Sequence, residues 1–100
     1  MTQYLIATSV LESIVRGSLE SDERLRVNTP MPLTRTRPVE ITVEGEQCFV
    51  SVHVDARMGE HLPSLASTVR RTVAEALESM TGLRVIVVDV SVSGVFPVGI

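Results

Sequence analysis

Apolar residues recur at helical spacing from Ser9 onward. Val10, Leu11, Ile14, Val15 and Leu19 form one stripe, while Glu12, Arg16 and Glu20 turn away from it. Ser9 with Glu12 three residues on has the form of a capping box, so the pattern predicts a helix opening there. Gly17 interrupts it at a cost of about 1 kcal/mol relative to alanine, unless it permits a close approach of another element. The next segment, 21–38, has no sustained period and contains Pro30, Pro32 and Pro38. It reads as a long linker, with room for a short extended piece at Leu25 to Val27.

The clearest local signal follows. Val39, Ile41 and Val43 alternate with Glu40, Thr42 and Glu44; Cys48, Val50, Val52, Val54 and Ala56 then alternate with Phe49, Ser51, His53 and Asp55. A two-residue loop at Gly45-Glu46 sets Val43 opposite Cys48, Ile41 opposite Val50 and Val39 opposite Val52. Every apolar side chain then shares one face, and glycine at the first loop position suits a type II′ turn. From Pro63 to Met80, a stripe of Leu65, Ala66, Val69, Val73, Ala76, Leu77 and Met80 predicts a second helix, started by Pro63 and stopped by Gly82. Leu83 to Val95 reads as a strand. Val88, Val90 and Val92 share one of its faces and Asp89, Ser91 and Ser93 the other. Val85, Ile86 and Val87 have no assignable face.

The order helix-strand-strand-helix-strand predicts one two-layer α+β domain over residues 1–100. Its three-stranded mixed sheet carries both helices on one face. The last strand can join beside either hairpin strand, through a right-handed crossover in both cases. One hundred residues can bury roughly two-thirds of the unfolded surface. No Trp, one Tyr and two Phe leave a core of aliphatic side chains and few platforms for stacking bases. The lone Cys48 suits a reducing compartment, and no stretch has the ~20 apolar residues of a membrane span. With no secretory leader pattern at the start, the expectation is a cytoplasmic protein without direct membrane insertion.

Net charge is −3, yet all nine cationic residues are arginine. Arg24, Arg26, Arg35 and Arg37 lie in a run with no acid between Arg24 and Val39. Arginine forks bind carboxylate and phosphate bidentately, so this run is a candidate partner-binding segment; its plain alternative is a solvated linker. Phe49 is the second candidate, because register puts it on the polar face beside Thr42. Ser51, His53 and Asp55 carry the side chains of a hydrolase triad, but alternate strand residues stand parallel about 6.5 to 7 Å apart, where nucleophile and base need about 3 Å. Cys48 and His53 project from opposite faces of one strand and cannot share a zinc ion. No catalytic, cofactor or metal residue is assigned.

Taken together, Ser9-Val10-Leu11 with Ile14, the valine-rich hairpin, Leu65-Ala66, Val69, Val73 and Ala76-Leu77 resemble the alkaline shock protein family. The most specific part is Met80-Thr81-Gly82-Leu83 followed by Val88, Val90, Val92 and Gly94-Val95. The resemblance covers most of the chain outside 21–38. It implies a small bacterial cytoplasmic protein of the general or envelope stress response, without catalytic residues, that works by protein interaction and in some members reaches the membrane through a protein partner. The chain departs from the family's valine- and glycine-containing segment after the first helix, where it carries the arginine-proline linker. The expected function is therefore non-enzymatic interaction or scaffolding, with no cofactor. A nucleic-acid-binding module using the arginine run is the first alternative, and a small hydrolase the last. An open sheet face presenting Phe49, with Val85 or Val87, adds the expectation of a homodimer.

Overall fold

The hairpin of alternating valines organises the fold. In the computed structural model, which describes residues 6–28 and 37–98, β2 (Val39–Glu44) and β3 (Gln47–Arg57) pair antiparallel. Val43 lies opposite Cys48, Ile41 opposite Val50 and Val39 opposite Val52, the register that the alternation predicts. Gly45 has φ 63° while among the described residues no other residue type is left-handed, so Glu46 keeps a negative φ, in keeping with a II′ turn. Around the hairpin lie α1 (Thr8–Leu19), β1 (Leu25–Val27), α2 (Leu62–Thr81) and β4 (Arg84–Phe96).

Among the described residues the sheet has four strands rather than three. The first half of one edge of β3 is paired by β2, as far as Val52, and the second half by β1, at Val54 to Ala56. His53 marks the handover: its N–H donates to the Pro38 carbonyl at 2.7 Å and its carbonyl accepts from Asn28 at 2.9 Å. Because β2 ends before β3 does, that stretch of edge was open to pairing. Three residues of the linker fill it, and Leu25 drops into the core as they do. The other edge of β3 is occupied along its length by β4, parallel to it. The question of the last strand's neighbour is thereby answered: it lies beside β3, the hairpin's second strand, which becomes the central strand.

Both helices pack on one face of this sheet. The core joins Leu11, Val15 and Leu19 of α1, Leu65, Val69, Val73 and Leu77 of α2, and Cys48, Val50, Val52, Val54 and Ala56 of β3. Each helix contributes a row at strict four-residue spacing, the geometry by which helical ridges interlock. Burying each of these aliphatic side chains contributes about 1.5 to 3 kcal/mol.

Three local expectations fail for physical reasons. Helix α1 starts at Thr8, with Ala7 as its cap and no side-chain cap bond, so Ser9 is already inside the first turn and cannot form the box with Glu12. Ser9 instead accepts at its carbonyl from the Ser13 hydroxyl, 2.9 Å away. Gly17 permits no close approach, because an added Cβ would meet nothing within 4 Å. Met80 leaves the α2 stripe and is 69% exposed, since one further turn carries it past the sheet.

Candidate functional site

The face of the sheet opposite the helices is built from the odd-numbered positions of β3. Phe49 stands between Thr42 of β2 and Val87 of β4, and Ser51 stands between Glu40 and Asp89. His53 lies beside Ser91, and Asp55 lies between Arg26 of β1 and Gly94 of β4. Among the described residues no helix contributes to this face, and its β3 side chains from Phe49 to Asp55 are half-buried.

The polar side chains here are tied across strands rather than along them. His53 Nδ1 lies 3.2 Å from the Ser93 hydroxyl, and Asp55 accepts from the Asn28 side-chain amide at 3.0 Å. The base and the acid of a triad therefore face different neighbours, neither of them Ser51, as the parallel stance of strand residues requires. Gly94 is the cost of the Asp55 contact: a Cβ there would fall 2.8 Å from the Asp55 carboxylate. Cys48 points the opposite way, into the core, where burial and then the charge of Glu78 push its thiol pKa up and keep it neutral.

The arginines of the linker are distributed rather than massed. Arg24 turns back on Asp22, with Nε 3.0 Å and Nη2 2.8 Å from the two carboxylate oxygens. That hydrogen bond holds the Asp22 pKa below the usual carboxylate value against the opposing effect of burial. Arg26 lies on the open face with its guanidinium 3.8 Å from the centre of the Phe96 ring, a cation–π contact. Arg37 reaches toward Glu12 of α1 at 3.7 Å and is 72% exposed. Arg35 lies outside the described residues. The structure thus brings Arg26 to the face that carries Phe49, at its far end, and directs Arg24 and Arg37 elsewhere.

Sequence reading missed Asn28 and put Phe96 just past the last strand, in an apolar tail; Phe96 is the last residue of β4, and both flank the open face at the β1 end. No local signal marks Asn28, which acquires its role from the pairing of β1 with β3. A shallow concavity of about 430 Å³ lies between α1 and β1, lined by Ser13, Arg16, Gly17, Glu20, Leu25 and Arg26 among others. Its walls mix both charges with a buried leucine. Among the described residues no three of His, Cys, Asp or Glu gather as metal ligands, and no helix is long and apolar enough to cross a membrane.

Comparison with known proteins returns no matching curated protein and no matching solved structure. A family model does match, over residues 2–97, nearly the whole chain. The chain belongs to the family of alkaline shock protein 23, whose function is related to the cell envelope.

Proposed function

We propose that this protein is a non-enzymatic interaction or scaffolding module of the cell-envelope stress response, docking a protein partner on the open face of its sheet. The observation that carries the reading is the composition of that face. Half-buried Phe49 and exposed Val87 adjoin acidic Glu40 and Asp89, and Arg26 stands at the other end. Apolar centre with charged surroundings is the anatomy of a protein interface. A nucleic-acid partner fits less well, because Arg24 is already paired with Asp22 and the neighbouring strands are acidic. Family membership sets the cellular context, and a partner anchored in the membrane would place the protein at the envelope without a span of its own.

A photo-activated cross-linker in place of Phe49, expressed in the native cell, tests this reading. It is expected to give one discrete adduct with another protein, weakened by Arg26→Glu and absent when the linker replaces Met80 on α2 instead. An equal yield at both positions, or none at Phe49, would contradict docking on the open face.

A further inference from the structure

Strand β4 has one edge paired with β3 and the other with no strand beside it among the described residues. It is thirteen residues long, and it carries neither Lys nor Pro, the residues that commonly protect an edge. One end of that edge is occupied: the Val85 N–H donates to Glu78 Oε2 of α2 at 3.0 Å. Two bulges, at Ile86 and Ser93, interrupt the pairing with β3. The stretch between them is an open edge centred on Val90.

The side chains of this strand are symmetric about that centre. On the helix-facing side, Val88 and Val92 each lie two positions from Val90, and Val85 and Val95 each lie five. The symmetry survives the bulges because one falls on each side. An antiparallel copy of β4 turned about Val90 therefore sets Val88 opposite Val92, Val85 opposite Val95, and Val90 opposite itself. On the open face the same register places Asp89 opposite Ser91 and Arg84 opposite Phe96, so no two like charges meet. Like charges directly opposed are what such a pairing must avoid.

Burial shows a matching deficit. The helix-facing residues of β3 from Cys48 to Ala56 are all buried, whereas Val85, Val88, Val90 and Val92 are only half-buried and Val95 is 55% exposed. The helices of one chain cover β3 and leave the valine row of β4 partly in water. Two chains joined at β4 would place two such rows side by side and shield each with the other.

We infer that two copies of this chain pair through β4, antiparallel about Val90, to make one continuous eight-stranded sheet with four helices on one face. This is a closed two-fold contact, the commonest symmetry of soluble oligomers. It moves the expected self-association from the open face at Phe49 to the edge and leaves that face free. It does not rest on the identity of any partner, since the surface is complementary to itself.

The test uses the whole chain with Asp89→Cys and Ser91→Cys as separate variants, both exposed positions. Cys48 is buried, so the wild type serves as the unreactive control. On mild oxidation an equal mixture of the two variants is expected to give a disulfide-linked dimer, several-fold above either variant alone. Either variant alone would set its cysteine two positions, about 7 Å along the strand, from the same cysteine of its copy, beyond disulfide reach. Wild type should sediment as a dimer at tens of micromolar, and Val87→Lys at the edge should shift it toward monomer while Phe49→Glu does not. A monomeric wild type, cross-linking no greater in the mixture, or dissociation by Phe49→Glu in place of Val87→Lys would overturn the inference.

Discussion

Gly17 and Val73 show how differently two residues of similar periodic context are constrained. Gly17 lies in α1 with open space where a Cβ would stand, so it carries the entropic penalty of glycine and gains no packing from it. Gly17→Ala is expected to stabilise the protein by about 0.5 to 1 kcal/mol. Chemical denaturation reads this as a higher midpoint at unchanged slope. Val73 is fully buried among both helices and β3. Val73→Ala, like Val69→Ala, should cost about 1 to 3 kcal/mol, and Val73→Asp should abolish the cooperative thermal transition. A melting temperature unmoved by the aspartate would mean that the α2 face is wrongly assigned. Asp22 gives a pH signature. Its folded pKa is depressed, chiefly by the Arg24 hydrogen bond, so its contribution to stability is fully present above the unfolded value of about 3.9. That contribution is lost as pH falls through the lower folded value. Acid titration of Asp22→Asn should therefore lose less stability than wild type between pH 4 and the acid limit, with little difference in slope at neutral pH.

At the scale of elements, the hairpin was readable from sequence to the residue, because a two-residue turn and a two-residue side-chain period leave one register that puts every valine on the same face. The helices were readable from their four-residue rows. What escaped has physical causes. The short extended piece at Leu25 to Val27 was readable and is strand β1, but its place in the sheet was not, because it fills the edge of β3 that β2 leaves unpaired, a relation between segments distant in sequence. The run Val85-Ile86-Val87 resisted assignment because Ile86 is a bulge, where the period of two breaks. The start of α1 was misplaced because Ser9 and Glu12 match a cap pattern that a helix opening at Thr8 does not use. The arginine run looked like one feature along the chain and is several in space, since Arg24, Arg26 and Arg37 each find a different neighbour. The His53 and Ser93 pair was likewise invisible in sequence, as forty positions separate its members.

For the whole molecule, one layer of helices on one side of a sheet divides the labour between two surfaces. The helix-facing side supplies stability and holds Cys48 neutral and enclosed. The opposite side presents Phe49, Val87 and Arg26 on a rigid frame, which suits recognition better than a loop would because little order is lost on binding. The proposed function rests on this second surface and calls on no catalytic group. The most direct measurement of that claim is survival under envelope stress of cells that lack the native gene and carry one of two variants. The account predicts that Ser51→Ala with His53→Ala restores wild-type survival, whereas Phe49→Glu with Arg26→Glu, folded and expressed equally, does not. Loss of survival with the Ser51 and His53 variant, and full survival with the Phe49 and Arg26 variant, would contradict it.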